Sequence, residues 1–190
     1  MNTTFQRERW NAAVVRPSRE PEVENIVARI VANKRRYQAA DKETWVPWYV
    51  IACLHNMESG GSFNHHMHEG SPLTGRTKWA PKGRPRGGTP PFTWEESAID
   101  AMFYDNMPRK NWGYLEDTLQ AMELYNGPGY QKYHKDVPSP YLWAGTTIYS
   151  RGRYVSDGKW SQTSISKQIG CAAILKGLEN VGQIKMGRLK

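Results

Sequence analysis

Residues 81–91 restrict the fold of this chain more than any other segment, because they consist only of Pro, Gly, Thr, Lys and Arg. Such a run forms neither a helix nor a central strand, since proline lacks a backbone N–H and glycine has no side chain to pack. A long loop without secondary structure inside a compact domain is usually functional or disordered. The regular elements of the fold must therefore lie before and after this segment.

Apolar residues at helical spacing flank the loop on both sides. They predict helices over residues 21–37, 47–57, 93–105, 115–125 and 164–180. Thr93 and Glu96 match a capping box at the start of the third helix, which makes Glu96 a cap partner rather than a catalyst. Short strands around 75–80 and one helical turn within 141–149 complete the prediction. We expect a mainly α (α+β) single domain with a small β-hairpin or irregular lobe, preceded by a partly ordered arm over residues 1–20.

Composition narrows the class of protein. The 190 residues carry a formal net charge of +8 and include 8 Trp, 10 Tyr and 4 Phe, which is enough aromatic surface for a folded core. The positive charge implies an anionic partner, such as nucleic acid, a lipid head group or an acidic wall polymer. No long apolar run predicts a membrane span, and the N-terminal residues lack the apolar region of a secretory signal. Cys53 and Cys171 lie in apolar helical patterns, so we expect buried thiols.

The strongest chemical signal is a glutamate at the end of the predicted helix over 47–57. Glu58 is followed by Ser59, Gly60 and Gly61, and an acid seldom lies at the end of an apolar helix without a reason. Burial favours the protonated form of a carboxyl group, which can then give its proton to a leaving oxygen. Cleavage of a glycosidic bond needs such an acid. The structural alternative is that Glu58 only caps the helix or forms a salt bridge.

Several segments together resemble a known family. Glu58 and Ser59 with Phe63, and residues 124–130 (LYNGPGY), resemble the catalytic glutamate and the groove segment of soluble lytic transglycosylases and goose-type lysozymes. Longer segments are similar to the phage-related "lysozyme family protein" group of peptidoglycan hydrolases: residues 68–74 (HEGSPLT), 90–98 (PPFTWEESA), 139–145 (SPYLWAG) and 149–159 (YSRGRYVSDGK). The resemblance extends over residues 45–178 and implies a lysozyme-like catalytic domain within residues 21–190.

This resemblance implies that the protein cleaves the β-1,4 bond between N-acetylmuramic acid and N-acetylglucosamine, with Glu58 as general acid. Glu69 is the first choice for the second carboxylate, either placing the attacking water or acting as nucleophile, and Asp157 is a weaker choice. The order Glu58, Glu69, Thr74 only loosely matches the Glu-Asp-Thr triad of other phage lysozymes, and no Gly-Leu-Met-Gln follows Glu58 as in transglycosylases. If no second carboxylate assists, a lytic transglycosylase route with one glutamate remains open.

Aromatic residues between positions 125 and 149 are interleaved with Gly and Pro rather than set at helical spacing. We expect some of them to stack on sugar rings, although each one alone is more typical of a core. Asn126 is expected to hydrogen-bond an N-acetyl group, and the resemblance implies a hydrogen bond from Tyr149 to the catalytic carboxyl. The predicted substrate-binding residues are Thr74, Tyr125, Asn126, Tyr130, Tyr141, Trp143 and Tyr149. The glycan would lie between the end of the Glu58 helix and this aromatic loop.

Three histidines, His65, His66 and His68, invite a metal interpretation, but no Cys pair or HExxH pattern supports a zinc site. We therefore expect neither a metal nor a cofactor. Bacterial peptidoglycan is the expected partner of a monomeric enzyme. The basic residues expected to face an anionic wall or outer membrane are Arg84, Arg86, Arg151 and Arg153.

Two other functions stay open at this point. A non-catalytic glycan-binding module would use the same aromatic residues without an acid. Binding to nucleic acid would rest on charge alone, because the sequence has no nucleic-acid motif, so no specific nucleic-acid partner is expected. The expected location is the host cytoplasm until holin-mediated release, or the virion.

Overall fold

The computed structural model describes residues 4–186 and is mainly helical. In chain order the helices are α1 (Thr4–Ala12), α2 (Glu20–Ala32), α3 (Lys34–Thr44), α4 (Trp48–Ser59), α5 (Trp94–Tyr104), α6 (Leu115–Tyr125), α7 (Gly129–Tyr133), α8 (Pro140–Trp143) and α9 (Cys171–Asn180). Two short strands, β1 (Arg153–Ser156) and β2 (Lys159–Ser161), pair as an antiparallel hairpin. The prediction of a mainly helical fold with a small hairpin is therefore confirmed. Within residues 4–186, every helix is too short or too polar to cross a bilayer.

The chain divides into two compact units. The terminal unit contains residues 4–28 and 111–186, and the central unit contains residues 29–110. Part of the predicted arm over 1–20 forms α1, whose Trp10 is buried; Met1, Asn2 and Thr3 lie outside the described residues. The prediction that 21–190 form one catalytic domain stays a prediction.

The terminal unit has its own helical core. α1 packs on α6, α6 on α8 and α8 on α9, with Leu119, Leu142 and Leu175 completely buried between them. α9 begins at Cys171, so the prediction that this helix starts at residue 164 is wrong. Gly170, in extended backbone just before the helix, lies so close to α8 that a Cβ atom there would be 2.7 Å from the backbone oxygen of Leu142. The chain has to pass α8 in an extended conformation before it turns into α9.

In the central unit, α3 packs on both α4 and α5. Val50 to Leu54 are all completely buried, as the apolar pattern predicts. The loop after α4 has no paired strand around residues 75–80, so that prediction is wrong. Thr77 holds this loop instead: its hydroxyl donates to the Pro81 oxygen at 2.5 Å and accepts from the Arg84 N–H at 2.8 Å.

The helix predicted over 21–37 is two helices. α2 ends at Ala32 and α3 begins at Lys34. The Asn33 amide nitrogen donates to the Arg29 carbonyl at 2.9 Å, and an Asn side chain that bonds the backbone in this way competes with the helical hydrogen bonds. The helix is therefore interrupted inside a segment whose apolar spacing is continuous.

Two local predictions are confirmed. Thr93 and Glu96 form a capping box, with the Glu96 N–H donating to the Thr93 hydroxyl at 3.2 Å and the Thr93 N–H donating to the Glu96 carboxylate at 2.7 Å. Cys53 and Cys171 are buried thiols that form no disulfide bond.

Candidate active site in the central unit

Glu58 lies in the last turn of α4, beside the two glycines that end this helix. Gly60 and Gly61 have φ angles of 62° and 73°, a conformation that glycine adopts without steric penalty. The Gly60 N–H donates to the Asn56 oxygen at 3.1 Å and the Gly61 N–H to the His55 oxygen at 3.2 Å. Glu58 is half-buried, whereas the sequence analysis assumes a fully buried acid.

Glu69 lies next to the end of α4. A Cβ atom on Gly70, which follows it, would be 3.3 Å from the Glu58 carbonyl oxygen, so the chain at 69–70 passes directly against the residue that carries the predicted acid. The Ser71 hydroxyl donates to Glu69 Oε1, and the Ser71 N–H reaches the same oxygen at 3.4 Å. Glu69 Oε2 is buried and has no hydrogen-bond partner among residues 4–186. The carboxylate is therefore fixed through one oxygen while the other retains its capacity to accept a hydrogen bond.

Arg29 brings a positive charge to the same end of α4. Its guanidinium donates to Asn56 Oδ1 at 2.9 Å, and its Nε lies 3.3 Å from the position that a Cβ on Gly61 would occupy. A larger residue at 61 would push this guanidinium away. The sequence analysis did not single out Arg29, because its place in the amphipathic pattern is that of an ordinary solvent-facing residue.

His55, one turn before Glu58 in α4, anchors the helix end to the core. Its Nε2 lies 3.1 Å from the Ser62 carbonyl oxygen, which can only accept, so Nε2 carries the proton and Nδ1 accepts from the Tyr37 hydroxyl at 3.0 Å. The rings of Phe63 and Trp94 pack on the imidazole, with ring centres 4.8 and 4.7 Å away. Burial lowers the pKa of His55 to about 4, so this side chain is neutral at neutral pH.

The histidines of the following loop have structural partners. His66 Nε2 donates to the Gly75 oxygen at 2.8 Å, and its Nδ1 lies 2.9 Å from the Ser97 hydroxyl. His68 Nε2 lies 2.8 Å from Asp100, which also accepts two hydrogen bonds from Arg84. Within the described part of the chain, no three His, Cys, Asp or Glu residues are placed to hold a metal ion. These bonds fix the loop that carries Glu69 to α5.

The predicted substrate-binding residues are divided between the two units. Thr74 is exposed in the central unit, whereas the six residues from Tyr125 to Tyr149 belong to the terminal unit. Tyr125 is half-buried and Asn126 is exposed at the end of α6, so both are accessible to a ligand.

Four of the predicted stacking residues, Tyr130, Tyr141, Trp143 and Tyr149, are buried in the core. Trp143 is completely buried, and Tyr141 is 7% exposed. An indole with no exposed face has no surface for a sugar ring, so stacking by Trp143 is corrected to core packing. Tyr and Trp suit both roles, and sequence alone does not separate them.

Tyr149 also differs from its predicted role. Its hydroxyl donates to the Gly152 oxygen at 3.3 Å and accepts from the Ser166 N–H at 3.0 Å. A phenol has one proton, and this bond uses it. The expected donation from Tyr149 to the catalytic carboxyl is therefore corrected to a bond that holds the chain between α8 and β1.

Tyr130 belongs to an aromatic cluster that the sequence analysis missed. Its ring lies edge-on to Tyr154 and Trp160 of the hairpin, with centres 5.6 and 5.7 Å away. His134 stacks flat on Trp160, with ring centres 3.5 Å apart and planes 10° apart. A sequence signal for this cluster did exist: Tyr154 and Trp160 lie on opposite sides of the hairpin turn, so a hairpin there pairs the two aromatic residues.

The remaining predicted residues lie on the surface or in salt bridges. Arg84 pairs with Asp100 at 2.6 Å and so is not a free cation, whereas Arg86 and Arg151 are exposed. Arg153 is half-buried in β1. Asp157 is exposed in the turn between β1 and β2, in the terminal unit.

Comparison with protein-family models, with curated protein sequences and with solved structures finds no match to this chain.

Proposed function

We propose that the protein is a peptidoglycan hydrolase of the phage lysozyme type, which cleaves the β-1,4 bond between N-acetylmuramic acid and N-acetylglucosamine. The observation that carries the proposal is the contact between Gly70 and the Glu58 carbonyl. It brings a second glutamate, Glu69, to the end of the helix that holds Glu58. Hydrolysis of a glycosidic bond needs two carboxyl groups with different tasks at one place.

Glu58 is the proposed general acid. The C-terminal end of a helix carries a partial negative charge, and Glu58 lies at that end of α4. Gly60 and Gly61 have no side chains, so a glycan can approach the backbone beside Glu58. Arg29, at the same glycines, supplies a positive charge for an anionic part of the wall polymer.

Glu69 is the proposed second carboxylate. Ser71 fixes one of its oxygens, and the other is buried without a partner among the described residues, so it keeps the capacity to accept a hydrogen bond from the attacking water. If the two carboxyl groups lie about 6.5–9.5 Å apart in the complex, the reaction inverts; at about 5–5.5 Å, Glu69 becomes the nucleophile.

The proposal is tested by lysis of permeabilised bacteria, followed as loss of turbidity. Glu58→Gln removes the proton donor but keeps the shape, so we expect lysis to fall by roughly 10²-fold or more. The control is Glu43→Gln, an exposed glutamate on α3 in the same unit, which should lyse as the unchanged protein does. Normal lysis by Glu58→Gln, with unchanged circular dichroism in both variants, would refute the role of Glu58.

The alternative is a lytic transglycosylase, in which the substrate's own hydroxyl attacks and one glutamate suffices. Mass spectrometry of the released muropeptides separates the two reactions, because only the transglycosylase leaves anhydro ends. We expect hydrolysed ends and a strong loss of activity in Glu69→Gln. Anhydro ends together with an active Glu69→Gln variant would refute hydrolysis and support transglycosylation.

A glycan-binding module without catalysis is the remaining alternative. It predicts that the unchanged protein sediments with purified cell walls but releases no muropeptide. As an enzyme, the protein would act on peptidoglycan as a monomer, without a cofactor, and would reach the wall after holin-mediated release or within a virion.

A further inference from the structure

The terminal unit contains a cavity that the proposed chemistry does not use. Its volume is about 390 Å³, at the small end of the range for ligand pockets. α1, α6 and α7 form its walls, together with the turn that follows α7. Glu58 and Glu69 belong to the central unit, so the cavity needs an explanation of its own.

The cavity combines an apolar wall with buried polar groups. Phe5 and Val137 contribute the apolar side. Glu123 and Gln120, on one face of α6, are only 4% and 9% exposed. Gln6 fixes both: its amide nitrogen donates to Glu123 Oε2 at 2.5 Å and to Gln120 Oε1 at 3.4 Å. Burying a carboxyl group is unfavourable unless it is hydrogen-bonded, and packing alone does not require one here.

Two cations complete the lining. Arg9 is half-buried and its guanidinium lies 4.9 Å from the centre of the Phe5 ring. Arg7, two residues earlier on α1, instead forms a salt bridge with Glu116 at 2.6 Å. Lys135 is exposed at the rim of the cavity. Burial lowers the pKa of Arg9 and raises the pKa of Glu123, and the charge of each group partly offsets the effect of burial on the other.

We propose that this cavity binds the acylated C-terminal residue of a short peptide. The peptide carboxylate pairs with Arg9 and Lys135, its N–H donates to Glu123, and its side chain packs on Phe5 and Val137. Arg9, Lys135 and Glu123 then each have a partner of complementary charge or hydrogen-bonding type.

The lining argues against simpler ligands. An alkyl carboxylate could pair with Arg9 but has no hydrogen-bond donor for Glu123, which lines the same cavity. A cationic ligand would face two positive charges. That the peptide is the stem peptide of peptidoglycan rests on the proposed function, whereas the chemical class of the ligand follows from the cavity.

Calorimetric titration with three probes tests the proposal: N-acetyl-alanyl-alanine, the C-terminal amide of this dipeptide, and hexanoate. The two alanyl probes are tested both with L-alanine and with D-alanine. We expect saturable binding of the dipeptide, and binding at least tenfold weaker for the amide and for hexanoate, because a charge-assisted hydrogen bond contributes about that factor. No saturable binding of the dipeptide, or equal binding of the amide or of hexanoate, would overturn it.

Variants locate the site and separate it from catalysis. Arg9→Gln and Lys135→Gln should each weaken dipeptide binding, whereas Arg7→Gln, which removes the same charge from α1 outside the cavity, should not. Lys135 is exposed, so its variant tests the site even if Arg9→Gln unfolds in a thermal melt. Equal binding by Lys135→Gln and Arg7→Gln would contradict the assignment. Glu58→Gln should bind the dipeptide normally. If the unchanged protein binds the dipeptide but does not lyse cell walls, the proposed hydrolase function is refuted and the proposed peptide site is not.

Discussion

His55 connects the stability of the central unit to pH. Its ordinary pKa is 6.5, and burial lowers it to about 4 in the folded protein. Between these values the unfolded chain binds a proton that the folded chain does not, so His55 contributes stability above pH 6.5 that is lost as the pH falls toward 4. The shift corresponds to about 3 kcal/mol. Arg29 and Arg36 act in the same direction, because a positive charge disfavours the imidazolium.

We predict that urea unfolding of the unchanged protein shows a loss of stability of this size between pH 7.5 and pH 3.5, beyond what other groups contribute. His55→Gln has no imidazole to titrate there, so the pH dependence of its unfolding free energy should be smaller by about 3 kcal/mol. His65→Gln, which changes the half-buried histidine of the same unit, is the control. The same pH dependence in His55→Gln and the unchanged protein would contradict the prediction.

At the scale of single residues, the sequence predicts which side chains are candidates for a function better than it predicts which residues surround them. Glu58 at the end of a helix and Glu96 in a capping box follow from local order. The neighbourhood of Glu69 does not, because it depends on Gly70 meeting the Glu58 carbonyl after the chain has turned. Trp143 illustrates the other difficulty: the same amphipathic side chain suits a wet groove and a core, and only the packing decides.

At the scale of elements, Gly170 allows the chain before α9 to pass close to α8. A Cβ atom at this position would lie 2.7 Å from the Leu142 oxygen and 2.8 Å from the Ala144 nitrogen, both in the backbone, so neither can move without displacing α8. We predict that Gly170→Ala lowers the free energy of unfolding by roughly 1–3 kcal/mol, as overpacking does. Denaturant unfolding measures it. Gly75→Ala is the control, since a Cβ there meets nothing within 4 Å; equal stability of the two variants would contradict the explanation.

The long loop of the central unit is an exposed basic surface. No acidic residue lies between Glu69 and Glu95. Lys78, Lys82 and Arg86 are exposed, and Trp79, among them, is 72% exposed. A tryptophan beside lysines is typical of a surface that contacts an anionic interface, where each cation contributes about 1 kcal/mol.

We predict that the triple change Lys78→Gln, Lys82→Gln and Arg86→Gln weakens sedimentation with anionic vesicles at least tenfold. Neutral vesicles and high salt should remove most of the binding by the unchanged protein. The control is a triple change of exposed cations elsewhere in the central unit: Lys42→Gln, Arg109→Gln and Lys110→Gln. It should weaken vesicle binding less. Equal losses in the two triple variants would indicate that net charge alone is responsible.

The elements themselves divide into those that local sequence determines and those that tertiary contacts determine. α6 has the predicted bounds, because its apolar spacing and the following Asn-Gly-Pro-Gly are local signals. The break at Asn33 depends on one side-chain hydrogen bond inside a continuous apolar pattern. The hairpin of β1 and β2 is stabilised by rings from elsewhere, Tyr130 and His134, so its short strands have little signal of their own.

At the scale of the whole molecule, each unit contains one buried thiol. Cys53 lies in the central unit and Cys171 in the terminal unit, and both are completely buried thiols that form no disulfide bond. Burial also raises the pKa of Cys53, which suppresses the reactive thiolate. We predict slow reaction of the native protein with a thiol reagent such as DTNB, fast reaction of two equivalents after denaturation, and no effect of reductant on the melting temperature.

Single-cysteine variants then report on each unit separately. Cys53→Ala leaves the thiol of the terminal unit, and Cys171→Ala leaves that of the central unit. The rate at which each remaining thiol reacts measures how often its own unit opens. Rapid reaction of either thiol in the native protein would contradict the burial described above.

Trp45 ends α3 with a left-handed backbone, at a φ of 61°, and its side chain is 80% exposed. A left-handed backbone is energetically unfavourable for residues with a large side chain and not for glycine. Trp45→Gly therefore removes a backbone penalty at an exposed position and should raise heat tolerance, while leaving Glu58 and Glu69 unchanged.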